Sequence, residues 1–177
     1  QYLPLFQKIS IREKNGYDII RKNTGIEAEL LFDPVFMFDA SAWKKMTSGS
    51  LRIPSKPYVL VYLLSDNEYY YSLIAEYAEN RKIDVVQVNL KREVHPKFQI
   101  KQCDPFGFVQ LIENASYIFT DSFHGLSFSL ILNKNFTVFK RFNDDIKSEN
   151  SRIYNILNFF EISERLISLI SKKFRML

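Results

Sequence analysis

The residues with the clearest chemical potential form one short run, Thr120-Asp121-Ser122-Phe123-His124-Gly125, between an apolar segment typical of a strand and one typical of a helix. Asp121 or Ser122 can cap that helix, and Gly125 lets the backbone approach a ligand. The first-turn amides and the helix dipole then form a site for phosphate or carboxylate. His124 would project into this site, where an imidazole can act as a general acid or as an anion-binding cation. The simpler alternative is a histidine satisfied by a backbone carbonyl, beside a glycine that only eases a turn.

Other classes of catalytic motif are missing from the sequence. The run has neither the spacing nor the lysine of a P-loop, and no GxGxxG occurs, which disfavours nucleoside triphosphate hydrolysis and standard dinucleotide binding. Serine hydrolysis is disfavoured because Ser122 and His124 diverge on a turn and no GxSxG elbow is present. The other histidine, His95, precedes Pro96 in a polar stretch and has no partner at metal-ligand spacing. We therefore expect His95 in an exposed loop, and we predict neither a metal nor a cofactor.

Three arginines stand at the ends of predicted elements, where they can face the same cleft as His124. Arg12 ends the first predicted strand, Arg141 ends the last, and Arg152 begins a helix. A surface salt bridge explains each of them as well as ligand binding does. Trp43 is expected to pack at a domain junction rather than to stack on a sugar.

The elements that must position these residues alternate between strands and helices. Apolar runs and period-two patterns predict strands, and apolar positions at helical spacing predict helices. The predicted strands are 9–12, 28–32, 58–64, 84–90, 117–120 and 135–140; the predicted helices are 13–23, 67–78, 105–112, 125–133, 153–160 and 162–174.

This alternation predicts an α/β fold with a Rossmann-like, doubly wound parallel sheet. Ligands bind such sheets beyond the carboxyl ends of the strands, so the loops after Leu64, Leu90, Thr120 and Lys140 are the places to expect a site. The segment 40–57 is rich in serine and contains Gly49 and two prolines, which is typical of a linker. We therefore predict two parts, residues 1–48 and residues 49–177.

Composition indicates a folded, soluble protein. Of the 177 residues, 46% are hydrophobic and 25% are charged, which suffices for a core and argues against disorder. No run approaches the length of apolar sequence that a membrane span needs. The single cysteine, Cys103, excludes an internal disulfide and a zinc site built mainly on cysteine. A reducing compartment, and by default the cytoplasm, is expected.

Two further features concern the ends of the chain. The sequence starts at Gln1 with no leader pattern, so we interpret it as part of a longer product. The net charge is +4, and the whole excess of positive charge lies from Lys134 onward. This excess favours anionic partners, but a solvated surface explains it best. Nucleic acid is not predicted as a partner, because the basic residues are spread across predicted helices.

The order of several short motifs along the chain resembles the polysaccharide pyruvyl transferase family. The motifs are Ile9-Ser10-Ile11-Arg12-Glu13, Asp33-Pro34-Val35-Phe36, Trp43, the run from Tyr117 to Gly125, the segment from Lys134 to Arg141, and Ser151-Arg152. The resemblance spans nearly the whole chain, and its most specific part is the His-Gly pair between strand and helix. It implies a two-lobed fold similar to GT-B glycosyltransferases, with the active site between lobes. The chain would then contain the end of the N-terminal lobe and the C-terminal lobe, and we expect it to be inactive without the rest of the N-terminal lobe.

The resemblance also implies an activity and roles for individual residues. Family members look like enzymes that move the enolpyruvyl unit of phosphoenolpyruvate onto a sugar, often as a cyclic ketal, on a polysaccharide or a lipid-linked acceptor. By that analogy His124 is the general acid that protonates the methylene carbon of phosphoenolpyruvate. Arg12 and the positive helix end, with Asp121, Ser122 and Gly125, would bind its phosphate and carboxylate.

One position departs from the family pattern. Members often carry an arginine two residues before the histidine, whereas this chain has Ser122, which lacks the two parallel donors that grip a carboxylate. Either Arg141 or Arg152 supplies that contact, or this branch uses another donor or acceptor. Two alternatives to pyruvyl transfer stay open: a glycosyltransferase using a nucleotide-sugar donor, and a sugar- or anion-binding module without catalysis.

Overall fold

The computed structural model describes residues 2–49, 51–88, 97–141 and 151–168. Its strands are β1 Ser10–Ile11, β2 Glu29–Leu30, β3 Tyr58–Tyr62, β4 Asp84–Val88, β5 Phe98–Lys101, β6 Tyr117–Thr120, β7 Phe136–Phe139 and β8 Leu166–Ile167. Its α-helices are α1 Lys14–Thr24, α2 Ala40–Thr47, α3 Glu68–Arg81, α4 Pro105–Asn114, α5 Phe123–Ile131 and α6 Ser151–Phe159.

Strands β3 to β8 form one parallel sheet in the order β5-β4-β3-β6-β7-β8. Side chains of β3 alternate between two cores: Tyr58 and Leu60 pack on one face, and Val59 and Val61 on the other. Helix α3 covers the second face, while α4, α5 and α6 cover the first. Both faces are therefore buried, as expected for a parallel sheet. The predicted α/β class with a doubly wound parallel sheet is confirmed.

Helix ends follow the capping residues that the sequence offers. Asp104 accepts a hydrogen bond from the amide of Gly107 at 2.7 Å, and Asn67 accepts one from the amide of Tyr69 at 3.1 Å. Helix α1 ends at Gly25, which adopts the left-handed conformation with φ of 70°. These three caps place the end of α1 and the starts of α3 and α4 within one residue of the prediction, whereas α3 and α4 run on past their predicted ends, to Arg81 and Asn114.

The linker interpretation of residues 40–57 is wrong for its first half, which forms helix α2. Asp39 caps this helix by accepting from the amide of Ala42 at 2.8 Å. The indole of Trp43 donates to the carbonyl of Val35 at 3.0 Å, and its ring meets the ring of Phe128 in α5 edge-on at 4.9 Å. Tertiary packing of one tryptophan therefore outweighs the loop-like composition. Trp43 packs, as expected, and the division into residues 1–48 and 49–177 stays a prediction.

The predicted last helix, 162–174, is also wrong in its described part. Glu161 has a φ of 56°, and a short 3₁₀ turn, Ser163–Arg165, leads into β8. In β8, Leu166 pairs with Val138 of β7. Residues whose spacing suited a helix therefore form a strand, because they can hydrogen-bond to the edge of the sheet. Positions 169–174 lie outside the described residues.

Strand β5 was not predicted from the sequence. It is short and polar in part, and it lies at the other edge of the sheet, where Phe98 pairs with Val85 of β4. The preceding polar stretch, including His95 and the predicted end of β4 at 89–90, lies outside the described residues.

The first part of the chain forms a separate two-stranded parallel sheet. Ser10 of β1 pairs with Glu29 of β2, and Ile11 with Leu30, with α1 as the connection. This arrangement places Arg12 directly after β1 and Asp33 shortly after β2, on the same side of the molecule. Among the described helices, each is too short or too polar to cross a lipid bilayer.

A buried tyrosine in α3 gives a test of this core. Burial, and after it the carboxylate of Asp121, raises the pKa of Tyr71 to about 12 from its ordinary value of 10.0. The folded protein thus retains a proton that the unfolded chain loses above pH 10, so stability falls as pH rises through the window from 10 to 12. We predict that the free energy of unfolding in urea falls less steeply across that window in Tyr71→Phe than in the wild type. The exposed neighbour Tyr69→Phe should keep the wild-type slope; equal slopes in all three proteins would contradict the prediction.

Candidate functional site

The N-terminus of α5 is built by side chains of the preceding loop. The Ser122 hydroxyl accepts from the amide of Gly125 at 3.4 Å, and the Ser122 amide donates to the Thr120 hydroxyl at 3.0 Å. Helix α5 therefore begins at Phe123, two residues before the expected start, and His124 lies in its first turn. Within the described part of the chain, the amides of Phe123 and His124 have no acceptor. Two donors at the positive end of a helix suit an anion.

Glycine at position 125 has a packing reason. A Cβ atom there would lie 2.9 Å from the Cβ of Thr120, closer than real Cβ contacts allow. The Thr120 hydroxyl is itself fixed, because it donates to the carbonyl of Tyr62 in β3 at 2.8 Å. Gly125 thus lets α5 pack directly against the end of β6, which sets the position of His124.

Asp121 joins the loops after β3 and β6, where the direction of winding of the sheet changes. The residue is 1% exposed. Its Oδ1 accepts from the amide of Leu64 at 2.6 Å, and its Oδ2 from the amide of Ser65 at 2.8 Å. Both oxygens are therefore engaged by backbone donors, and Ser122 rather than Asp121 caps α5.

A second buried carboxylate, Asp33, lies between two predicted site residues. Its Oδ2 accepts from the guanidinium of Arg12 and lies 3.9 Å from Nε2 of His124. Its Oδ1 accepts from the amide of Val35 at 3.1 Å. The Asp33 side chain is only 3% exposed, whereas those of Arg12 and His124 are 43% and 49% exposed. Asp33 thus contacts two side chains, Arg12 and His124, that also reach solvent.

Arg152 reaches the same region from α6. Its Nε lies 3.2 Å from Oε1 of Glu13, and the Ser151 hydroxyl donates to Oε2 of Glu13 at 3.0 Å. The guanidinium lies over the ring of Phe123, 5.6 Å from its centroid. Adjacent residues Arg12 and Glu13 therefore connect the first part of the chain to α5 and α6.

Arg12, Asp33, Phe123 and Arg152 line an open cleft of about 410 Å³, and His124 lies beside it rather than in its lining. Its polar wall carries positive charge from Arg12, Lys14 and Arg152, beside the buried carboxylate of Asp33. The full lining is Arg12, Lys14, Leu30, Leu31, Phe32, Asp33, Phe123, Arg152, Asn155, Ile156 and Phe159. The cleft combines cations with apolar and aromatic surface, which suits a small organic anion.

The structure brings together only part of the predicted set. Arg12, His124 and Arg152 surround one region, and Ser122 and Gly125 shape the helix end beneath it.

Asp121 and Arg141 occupy other positions. Asp121 is buried in the crevice between β3 and β6. Arg141 follows β7, near Tyr62, where its charge opposes the rise in the Tyr62 pKa that burial, Asp121 and Cys103 cause. Arg141 does not line the cleft that holds Arg12 and Arg152.

Sequence reasoning missed Glu13 and Asp33 as members of the site. Both stood in quoted motifs, and Asp33-Pro34 carries the signal of a capping residue before a first-turn proline. Neither pattern reveals that the carboxylates meet Arg152 and His124, because those contacts join distant parts of the chain.

The close packing at Gly125 generates a prediction. Gly125→Ala should lower the melting temperature by about 2–12 °C, since overpacking costs roughly 1–3 kcal/mol and each kcal/mol moves the midpoint by about 2–4 °C at this size. Differential scanning calorimetry measures the change. Gly16→Ala is the matched control, because its Cβ would meet the flexible Ile11 side chain, 3.1 Å from Cγ1. Equal melting temperatures for Gly125→Ala and the wild type would contradict the packing argument.

Comparisons with known proteins give the family. The sequence model of the polysaccharide pyruvyl transferase family matches residues 1–141, which include Arg12, Asp33 and His124. No curated protein matches the chain. A crystal structure described as the glycotransferase of kitacinnamycin is similar with a TM-score of 0.44 and 15% identity, over 69% of this chain. The match covers 33% of that structure, so this chain spans about a third of its length. Since the family model covers most of the sequence, the chain belongs to the polysaccharide pyruvyl transferase family.

Proposed function

We propose that the protein transfers the enolpyruvyl unit of phosphoenolpyruvate to a sugar of a polysaccharide or of a lipid-linked precursor. The observation that carries the proposal is the placement of His124 and Arg12 on one oxygen of Asp33, beside the N-terminus of α5. A proton donor and two kinds of anion-binding group thus converge on one point. Membership in the family supports this reaction class.

The proposed reaction begins with proton transfer to the donor. The protonated imidazole of His124 gives its proton to the methylene carbon of phosphoenolpyruvate, which becomes a methyl group. The neighbouring carbon becomes an oxocarbenium-like electrophile, and a sugar hydroxyl attacks it, forming a new C–O bond and losing its proton. The bond to the phosphate oxygen then breaks, and phosphate leaves with the electron pair. Attack by a second sugar hydroxyl would close a cyclic ketal.

The anionic groups of the donor need fixed positive partners. The free first-turn amides of Phe123 and His124 suit the phosphate, and the guanidinium of Arg12 adds charge next to His124. Ser122 caps the helix and so has no role as a carboxylate clamp. We assign that contact to Arg152, because it lines the cleft beside Phe123, whereas Arg141 lies elsewhere. In this proposal Asp121 and Gly125 do not contact the donor. Asp121 holds the loop after β6, and Gly125 allows α5 to pack against the end of β6.

A nucleotide-sugar glycosyltransferase has less support from the geometry. In doubly wound sheets a diphosphate binds the crevice at the change of winding, on amides of the first strand-to-helix turn. Here the amides of Leu64 and Ser65 already donate to Asp121, and Asn67 accepts from the amides of Tyr69 and Tyr70. The protein's own side chains therefore satisfy the donors that a diphosphate would need.

Measuring turnover distinguishes an enzyme from a module that only binds its ligand. If His124 only orients a ligand, phosphoenolpyruvate would bind but release no phosphate in the presence of acceptor.

The compartment that we propose is the cytoplasm, on the basis of the single cysteine.

Replacement of His124 tests the proposed acid. We predict that His124→Ala lowers acceptor-dependent phosphate release from phosphoenolpyruvate by at least ~100-fold, the usual scale for loss of a general acid. The assay follows the phosphate that the full-length protein releases at saturating donor. Circular dichroism and the melting temperature should stay close to wild type, since the side chain is half exposed.

The other histidine supplies the control for this prediction. His95→Ala makes the same chemical change in a stretch where no functional group is predicted, so its turnover should equal that of the wild type. A loss of less than threefold in His124→Ala would remove His124 from the mechanism.

A further inference from the structure

We propose that Asp33 is a positioning residue. One of its two carboxylate oxygens, Oδ2, contacts both the guanidinium of Arg12 and the imidazole of His124, and so fixes these two groups relative to each other. The inference rests on the proposed function for the reaction that it serves, but the contact itself is a property of the protein without substrate. Asp33 contacts no substrate in this scheme and acts only through its two partners.

Burial makes the carboxylate dependent on these partners. The Asp33 side chain is only 3% exposed, and burying its charge costs free energy unless nearby groups of opposite charge and hydrogen-bond donors compensate it. Oδ1 has the amide of Val35, and Oδ2 has Arg12 together with Nε2 of His124. At 3.9 Å from Oδ2, Nε2 of His124 is within ion-pair range of the carboxylate when the imidazole carries a proton.

The position of Asp33 relative to His124 is set by packing. Asp33 caps the short 3₁₀ helix Pro34–Met37 through the amide of Val35. The carbonyl of Val35 accepts from the indole of Trp43, and the ring of Trp43 packs on Phe128. Phe128 belongs to α5, the helix that carries His124 in its first turn. The carboxylate of Asp33 and the side chain of His124 are thus both positioned by the packing of Trp43 against Phe128.

The charges around the site agree with this role. His124 faces Asp33, and Arg12 shares that carboxylate; Glu13 pairs with Arg152, which lies over the Phe123 ring. With His124 protonated, these three cations exceed the two carboxylates by one charge, and Lys14 on the wall of the cleft adds another. An anionic donor would complete the balance, and it would meet Arg12 and His124 already oriented.

Asp33→Asn tests the proposal, because it keeps the shape of the side chain and removes its charge. The first measurement is the ring nitrogen spectrum of His124 in the ¹⁵N-labelled protein, assigned with His124→Gln. We expect the His124 signals to move in Asp33→Asn while the His95 signals stay in place. Unmoved His124 signals in a folded variant would overturn the proposal.

The second measurement is kinetic. We expect Asp33→Asn to lower kcat by at least ~10-fold, a part of the ~10²–10⁴-fold that a general acid contributes. A merely structural role would lower the melting temperature and leave kcat per folded molecule unchanged. Asp39→Asn is the matched control, because Asp39 also caps a helix, at 2.8 Å from the amide of Ala42, yet lies exposed. It should lose some stability and keep the wild-type kcat.

A second variant covers the case in which Asp33→Asn does not fold. Arg12→Gln leaves Asp33 in place and changes an exposed side chain, and the shared oxygen predicts that His124 signals move there as well. Unmoved signals in Arg12→Gln would overturn the shared-oxygen arrangement. The spectra also separate the two proposals. If His124 responds to Asp33 but the full-length protein does not turn over phosphoenolpyruvate, the pairing stands and pyruvyl transfer fails.

Discussion

The pairing of β3 with β6 at the centre of the sheet is the constraint on which the site depends. It brings the two loops that follow these strands side by side, and the carboxylate of Asp121 joins them through the amides of Leu64 and Ser65. The fixed loop leads directly into Ser122 and the first turn of α5. The backbone position of His124 is therefore set by the sheet and the capped end of α5.

The two buried aspartates, Asp121 and Asp33, have different roles because their hydrogen-bond and ion-pair partners differ. Asp121 accepts only from backbone amides, which fix a loop and satisfy the donors that a nucleotide diphosphate would use. Asp33 accepts from one amide and then meets two side chains that reach solvent, Arg12 and His124. A carboxylate held by backbone amides stabilises the fold, whereas one that faces solvent-exposed basic side chains can also orient groups for chemistry.

The sequence predicted most of the fold where strong local signals agreed with packing. The apolar runs of β3 and β6 appear where they were expected, and α3 and α4 start within one residue of their predicted starts. Prediction failed where long-range contacts decide, as in α2 and β8. Composition cannot show that Trp43 packs on Phe128, nor that the edge of β7 captures Leu166. The site followed the same rule, since His124 was found from its local motif and Asp33 only from its contacts.

The most direct test of the account is where phosphoenolpyruvate binds. The measurement is a titration of the ¹⁵N-labelled protein with phosphoenolpyruvate, inorganic phosphate and UDP in parallel, followed by backbone amide spectra. The account predicts that phosphoenolpyruvate moves the amides of Phe123 and His124 and leaves those of Leu64 and Ser65 in place, with UDP without effect at either position. Shifts centred on Leu64 and Ser65, or unmoved Phe123 and His124 amides at millimolar phosphoenolpyruvate, would contradict it.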